Sequence, residues 1–196
     1  MVTDDCRLLE VFPAPPMVCF SRGRNVKDEL CQAKLPPARL RRQEEGFKRC
    51  GRASCRLCPF TGLDKGQVQK NVKISSTGHN LDIRGQLTCT SSNILYILSC
   101  SKNDRTCPER PQYCGKSGQT AEKRFCGHRN TIVQTCHQNT KLAVGEHFQK
   151  AGHSVSDVCF TPVEKIYSTN VFVRKAREKH LINKHNLCEE GLNRKL

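Results

Sequence analysis

The stretch NILYILS, residues 93–99, is a continuous apolar run of residue types that favour β-strands, and it predicts a buried strand. Residues 112–115, with sequence QYCG, are predicted to begin its antiparallel partner after a loop that contains Pro108 and Pro111. Tyr96 and Tyr113 would then lie on adjacent strands and face one pocket. We work outward from this predicted strand pair to the rest of the fold.

Helices are predicted on either side of one further strand in the remaining sequence. The first helix is expected over residues 120–137, and the second over residues 141–151, where Gly152 ends it. Residues 158–163 predict the strand. The polar run at 168–170 then offers N-caps for a long helix that continues to about residue 186.

The chain divides into three segments by composition. Residues 1–46 have too few apolar side chains for an independent core, so we expect an extended, linker-like segment. Residues 47–92 are rich in cysteine and are predicted to form a zinc-binding segment, with short strands near 72–74 and 81–83. Residues 93–196, which contain the strand pair and the helices, are predicted to form the catalytic domain.

The charge of the chain points to a polyanionic partner. There are 33 Lys and Arg residues against 18 Asp and Glu residues, which gives a formal net charge of +15. A surplus of this size favours nucleic acid, because each phosphate contact releases condensed counterions. No apolar run is long enough for a membrane span, and the N-terminal residues lack the pattern of a secretory signal. We therefore expect an intracellular protein whose partner is nucleic acid, without membrane contact.

Five residues form a set that can cut a phosphodiester: Tyr96, Tyr113, Arg124, His128 and Glu178. The arginine would neutralise charge on the phosphate, and the carboxylate would hold one divalent metal ion. A tyrosine or the histidine would help to move the proton of the attacking water. Each residue also has an ordinary structural use, since strand tyrosines commonly pack and a helical glutamate commonly forms ion pairs. Lys116 and Ser117, directly after the second tyrosine strand, are predicted to contact the nucleic-acid backbone.

The 14 cysteines of an intracellular chain suggest metal ligands more than disulfides. Cys50, Cys55 and Cys58 have the strongest ligand spacing, because two thiolates separated by two residues can bind one tetrahedral zinc ion from a tight turn. A fourth ligand is needed, and we favour Cys89 over His79. Both flank the short strands that lead into Tyr96.

A second group of metal ligands combines two cysteines with two histidines. Cys100 and Cys107 follow the first tyrosine strand, and His147 and His153 lie at the end of the second predicted helix. Together they suggest a Cys2His2 zinc site, although six residues between the cysteines is a looser spacing than is usual. The sequence therefore predicts up to two structural zinc ions.

These motifs, in this order, resemble the GIY-YIG endonuclease family. Ile94-Leu95-Tyr96 stands where the family has Gly-Ile-Tyr, and Tyr113-Cys114-Gly115 stands where it has Tyr-Ile-Gly. The closer similarity is to the endonuclease domain of Penelope-like retroelements, which carries a comparable cysteine segment upstream, seen here at residues 47–58. The similarity covers about residues 11–195. Ile94 and Cys114 depart from the family tripeptides.

The resemblance implies both a fold and an activity. The fold is α/β (α+β), with a small, mostly antiparallel three-stranded sheet flanked by helices and with zinc-binding insertions. The activity is DNA cleavage that depends on Mg2+ or Mn2+, with Arg124 as the essential arginine and Glu178 as the metal ligand. The resemblance also implies an embedded zinc site, at the second ligand group described above, and a phosphate contact by Asn193.

Two other functions remain open from the sequence. One is a catalytically inactive, zinc-dependent nucleic-acid-binding protein derived from such an element. The other is a zinc module for protein interaction, which would not need the large positive charge. The complete catalytic set favours the endonuclease.

Overall fold

The structure is a computed structural model that describes residues 45–102, 107, 110–135, 143–149, 153–189 and 191–193. These residues belong to one compact unit, which begins at Gln43. The predicted linker-like segment, residues 1–46, lies outside the described residues except for its last two positions. None of the helices in the described ranges combines the length and the apolar character that a bilayer span requires.

Short strands dominate the first part of the described chain, and longer strands and helices follow. The strands are β1 (Gly46–Lys48), β2 (Val68–Gln69), β3 (Asn71–Lys73), β4 (Asn80–Asp82), β5 (Gln86–Thr88), β6 (Ile94–Cys100), β7 (Gln112–Ser117) and β8 (Val158–Lys165). The helices are α1 (Ala121–Thr135), α2 (Ala143–Gln149) and α3 (Val171–Lys184). Single 3-10 turns occur at Cys58–Phe60 and Val155–Asp157.

The central sheet has three strands in the order β7-β6-β8, and both pairings are antiparallel. β6 lies in the middle, which explains its continuous apolar sequence, since every residue from Ile94 to Leu98 is at most 1% exposed. The predicted strand pair is confirmed, because Tyr96 pairs with Gly115 and Leu98 pairs with Tyr113. The two tyrosines consequently point to the same face of the sheet. The mixed α+β class with a small antiparallel sheet is also confirmed.

The cysteine-rich segment adds small sheets of its own. β1 pairs with β2 in antiparallel and with β5 in parallel orientation, and β3 and β4 form an antiparallel pair. The strands predicted near 72–74 and 81–83 are found, one residue earlier, as β3 and β4. β1, β2 and β5 were not predicted, because strands of two or three residues show no readable periodicity.

The small sheets and the central sheet share one hydrophobic core. Phe47, Leu57 and Leu87 are fully buried and belong to the same cluster of apolar side chains as the residues of β6. Arg84 also pairs with β8, since its N–H donates to the Val163 carbonyl at 2.8 Å. The boundary predicted at residue 92 therefore separates two segments of the sequence that pack together as one unit.

The three helices lie where the sequence predicts them, with small differences at their ends. Residues 136–142 and 150–152, which include the predicted ends of the first two helices, lie outside the described residues. α3 begins after Asn170, whose side chain accepts a hydrogen bond from the Phe172 N–H at 2.8 Å. Among the three residues predicted as caps, Asn170 therefore caps the helix. α3 packs mainly against β7, the edge strand of the central sheet.

Candidate functional site

The phenol of Tyr96 is held between two side chains of α1. Nε of Arg124 donates a hydrogen bond to the Tyr96 hydroxyl at 2.8 Å, and Nε2 of His128 lies 2.8 Å from the same oxygen. Arg124 and His128 are four positions apart, so one face of the helix delivers both. Phe160 of β8 stacks on the Tyr96 ring, with centroids 4.5 Å apart. The structure thus brings three of the predicted catalytic residues into direct contact.

The Tyr96 hydroxyl group joins Arg124 and His128 in one hydrogen-bonded network. A guanidinium N–H only donates, so the Tyr96 oxygen accepts from Arg124. In the imidazole tautomer that carries its proton on Nδ1, the Tyr96 hydroxyl donates to Nε2 of His128. Burial, together with the charge of Arg124, lowers the pKa of His128 to about 3, so the imidazole is neutral at pH 7. Burial likewise raises the pKa of Tyr96. A protonated phenol is therefore hydrogen-bonded to a neutral imidazole.

Gly115 keeps open the space in which the two tyrosine rings meet. A Cβ atom at this position would lie 2.5 Å from Cζ of Tyr96 and 2.7 Å from Cε1 of Tyr113. Real side chains do not tolerate such contacts, so a residue without a side chain is required here. The ring centroids of Tyr96 and Tyr113 are 6.3 Å apart as a result.

Tyr113 is the more accessible of the two tyrosines. Its ring is only partly buried, whereas Tyr96 has no exposed surface. Burial and the nearby Glu178 carboxylate raise the pKa of Tyr113, and the charge of Arg124 partly opposes them. Tyr113 therefore lies within electrostatic reach of both the predicted phosphate-binding arginine and the predicted metal ligand.

Glu178 projects from α3 and is 8% exposed. Its Oε2 lies 2.5 Å from Nζ of Lys116 on β7. The ion pair that is common for a helical glutamate is found, and its partner comes from the sheet, since the buried face of the helix turns Glu178 toward β7.

The first metal-ligand cluster consists of Cys50, Cys55, Cys58 and Cys89, whose sulfur atoms all lie within 4.8 Å of one another. Sγ of Cys58 is 3.7 Å from that of Cys50 and 3.6 Å from that of Cys89. Ligands around one zinc ion at bonds of about 2.3 Å would be about 3.8 Å apart, so the thiols fit such an ion. Cys89 is buried in the cluster, while His79 is exposed outside it. Of the two predicted fourth ligands, the structure selects Cys89.

This first cluster is connected to the helix that carries Arg124 and His128. The Glu122 carboxylate on α1 accepts from the Arg56 N–H at 2.9 Å and also binds the Arg52 guanidinium. The Glu122 N–H donates to the Cys89 carbonyl at 3.0 Å. Burial opposes ionisation of Cys50, but hydrogen bonds from Arg52 lower its pKa to about 7, which favours the thiolate that a metal needs. The cluster thus supports the N-terminal end of α1.

The second cluster joins Cys100, Cys107, His147 and His153, again with ligand atoms within 4.8 Å of one another. Sγ of Cys107 is 3.8 Å from Nε2 of His147, and the two histidine rings lie 4.6 Å apart. Both ring nitrogens of His153 are buried without a hydrogen-bond partner among the described residues. A buried imidazole in that state lacks the partner that a metal would supply. The two clusters can therefore each hold a metal ion such as zinc.

Ser117 and Asn193 are engaged within the protein. The Asn193 amide accepts from the Cys114 N–H and donates to the Cys114 carbonyl, both at 2.8 Å. Ser117 Oγ accepts from the Gln119 N–H at 3.0 Å. Both residues are buried, so these bonds account for their positions by anchoring β7. Their predicted contacts with nucleic acid stay predictions.

Sequence reasoning missed two residues that shape the site, Gly115 as a spacer and Phe160 as a stacking partner of Tyr96. Gly115 lies in the quoted tripeptide, and a glycine inside a strand is a known signal of close approach. Phe160 lies in a predicted strand, but its partner depends on the register of β8 and β6.

Comparison with models of protein families, with curated proteins and with solved structures gives no match for this chain.

Proposed function

We propose that this chain is a metal-dependent DNA endonuclease that hydrolyses phosphodiester bonds, in the manner of GIY-YIG enzymes of retroelements. The observation that carries the proposal is the hydrogen-bonded network of Arg124, Tyr96 and His128, which adjoins Tyr113. Glu178 is close enough to raise the pKa of Tyr113. Arginine, phenol, neutral imidazole and carboxylate are the groups that phosphodiester hydrolysis needs.

Arg124 is prepared to bind a phosphate. Its Nε is held by Tyr96 and its guanidinium also hydrogen-bonds Tyr113, so a phosphate would bind the guanidinium N–H groups that remain. Because Tyr96 is fully buried, its role is to orient Arg124 and to connect it with His128. Tyr113, which reaches the surface, would position the attacking water or the phosphate.

His128 is the proton acceptor of this network. Its imidazole is neutral, and Arg124 is one cause of its low pKa. A bound phosphate would offset the charge of Arg124, so the pKa of His128 would rise and the imidazole would become a better base. Because Tyr96 is fully buried, its hydroxyl links His128 to Arg124 and does not itself contact the substrate.

Glu178 is the residue that would hold the catalytic Mg2+ or Mn2+. Such an ion, when bound, neutralises charge on the phosphate and lowers the pKa of coordinated water. Lys116 would give up its contact with the Glu178 carboxylate, and its ammonium group would become free to bind a phosphate oxygen. That exchange agrees with the predicted contact of Lys116 with the nucleic-acid backbone.

The charge and the two metal clusters support the same proposal. A net charge of +15 favours a polyanionic substrate. Zinc in the first cluster would brace α1, which carries Arg124 and His128. Zinc in the second cluster would brace the loop between the strands that carry Tyr96 and Tyr113. A DNA substrate in turn implies a nuclear location.

The test is incubation of the purified protein with supercoiled plasmid in Mg2+ or Mn2+, with open-circular and linear products measured by electrophoresis. Glu178→Gln should abolish cleavage and leave DNA binding, measured by mobility shift, close to that of the wild type. Glu189→Gln is the matched control, since Glu189 is exposed on the turn after α3. Cleavage by Glu178→Gln at the wild-type rate would remove this carboxylate from the mechanism.

A zinc-dependent nucleic-acid-binding protein without activity is the second candidate. Two observations favour it: Tyr96 has no exposed surface, and Lys116 occupies the Glu178 carboxylate. DNA binding without product in Mg2+, Mn2+ or Co2+ would select this candidate.

A further inference from the structure

Exposed apolar side chains are concentrated around the start of α3. Tyr167 is 83% exposed and Phe172 is 75% exposed, while Val171 and Val173 are 48% and 44% exposed. Among the described residues, the remaining large apolar side chain that is exposed is Val133, on α1. Burial of a large aromatic ring is favourable, so a group of exposed rings on one part of the surface marks an interaction site.

The backbone between the two rings is firmly anchored. Nη1 of Arg174 donates to Oδ1 of Asn93 and to the Thr169 carbonyl, each at 3.0 Å. Ser168 Oγ accepts from the Asn170 N–H at 3.2 Å, and Asn170 caps α3. These bonds fix the turn that Tyr167 and Phe172 flank, so both rings are presented in defined positions without prior ordering of the segment.

The surroundings of the rings are basic. Nζ of Lys175 lies 6.0 Å from the centre of the Phe172 ring, within the range of a cation–π contact. Lys175 and Lys179 are exposed on α3, whereas Arg177 of the same helix is paired with Glu164. Aromatic rings beside cationic side chains fit a nucleic acid, whose bases stack on the rings while its phosphates meet the charges.

The two rings favour single-stranded over double-stranded nucleic acid, because stacking requires the exposed face of a base. Bases in a duplex are stacked on one another and offer only their edges in the grooves, so a ring can stack only on an unpaired base. Phe172 precedes Glu178 by six residues on one helix, a distance of about 9 Å along its axis. Along the helix axis this is roughly the length of three stacked nucleotides at about 3.4 Å each, so a strand that stacks on Phe172 can extend toward the proposed cleavage position.

We propose that Tyr167 and Phe172 form a stacking platform for unpaired bases, and that the favoured ligand is DNA with a single-stranded segment. The placement of that segment next to the cut rests on the proposed endonuclease function. The stacking itself does not, since it concerns binding alone.

Binding without added Mg2+ or Mn2+ tests the platform apart from catalysis. We expect Tyr167→Ala and Phe172→Ala each to weaken binding of a single-stranded oligonucleotide by about tenfold or more, as stacking on one ring implies. Binding of a blunt duplex of the same sequence should change by less than about twofold. Fluorescence anisotropy gives both affinities, and circular dichroism with zinc content confirms that the variants fold. Unchanged single-strand affinity, or an equal loss on both ligands, would overturn the proposal.

The absence of tryptophan from the chain allows a direct probe of stacking. Phe172→Trp should keep single-strand affinity, and single-stranded DNA should quench its fluorescence. Val133→Trp is the control, because Val133 is 47% exposed outside the platform and should show little quenching. Equal quenching at both positions, or quenching on protein self-association without DNA, would contradict a base-stacking role. Platform binding in a protein that cleaves nothing would reject the endonuclease alone, whereas cleavage without platform binding would reject only this inference.

Discussion

The ammonium group of Lys116 lies 2.5 Å from the Glu178 carboxylate, the group that we propose as the ligand of a divalent metal ion. The side chain of Glu178 is 10% exposed and that of Lys116 is 28% exposed, so the pair is largely shielded from solvent. In the metal-free protein Lys116 balances the buried charge. Lys116 and the metal ion would therefore compete for Glu178.

Replacement of Lys116 by methionine should expose this competition. Without metal, Lys116→Met should lower the free energy of unfolding by about 1–3 kcal/mol, because a buried charge loses its partner. Addition of Mn2+ should restore part of that stability, and the variant should bind Mn2+ more tightly than the wild type does. Denaturant unfolding and electron paramagnetic resonance of free Mn2+ measure the two effects. Mn2+ affinity equal to that of the wild type would show that Lys116 does not compete.

Arg124→Ala should reduce the single-turnover cleavage rate at saturating DNA by at least ~10²-fold, the scale of losing one preorganised charge donor in the transition state. Its guanidinium both holds Tyr96 and would bind the phosphate. Arg129→Ala, on the same helix, is the control and should cleave nearly as fast as the wild type. If Arg124→Ala weakens only binding, the residue anchors the substrate and does not act in the chemical step.

The two tyrosines should respond differently to removal of the hydroxyl group. Tyr96→Phe should lower both stability and rate, because its buried hydroxyl connects Arg124 with His128. Tyr113→Phe should lose less stability than Tyr96→Phe and still lose rate, because Tyr113 is only partly buried and is proposed to position the attacking water or the phosphate. Thermal unfolding and single-turnover cleavage separate the two effects. Full activity in both variants would make the tyrosines structural residues.

His128 should make the protein sensitive to acid. Its pKa is lowered from 6.5 to about 3 in the folded chain, so protonation favours the unfolded state. The stability is complete above about pH 6.5 and falls by about 1.4 kcal/mol per pH unit as the pH drops toward 3. Arg124, Tyr96 and Tyr113 surround the ring and remain in the same charge state over this range.

His128→Phe tests this linkage by comparison with the wild type. Both proteins contain the same zinc ligands, so the contribution of those ligands to acid sensitivity cancels in the difference. Between pH 7 and pH 5 the variant should lose less stability than the wild type, by about 2 kcal/mol. Urea unfolding at the two pH values gives the difference. Equal losses would mean that His128 is already protonated or solvated in the folded protein.

We expect two zinc ions per chain, one in each ligand cluster. Cys89→Ser and His153→Asn should each reduce the zinc content by one and destabilise the fold, because both clusters join distant segments. His79→Ala should retain both ions, since this exposed residue lies outside the first cluster. Elemental analysis gives the stoichiometry. Loss of zinc in His79→Ala would reverse the assignment of Cys89.

Local pattern was sufficient for much of the fold. The apolar run of β6 predicts a buried strand because a central strand is covered on both faces. The polar run at 168–170 marks the start of α3, because a polar side chain can bond the free N–H groups there. The close spacing of Cys55 and Cys58 likewise predicts a shared metal ion, since a turn alone brings two thiols together.

Tertiary structure decided everything that depends on segments meeting across the chain. The choice of Cys89 over His79, the contact of Lys116 with Glu178 and the stacking of Phe160 on Tyr96 all join residues on different elements. The exposure of Tyr167 and Phe172 belongs to the same class, because an aromatic residue in a sequence is equally compatible with core and surface. Sequence determines which groups a chain carries and the local geometry of neighbours, whereas strand register and helix packing determine which distant groups share one site.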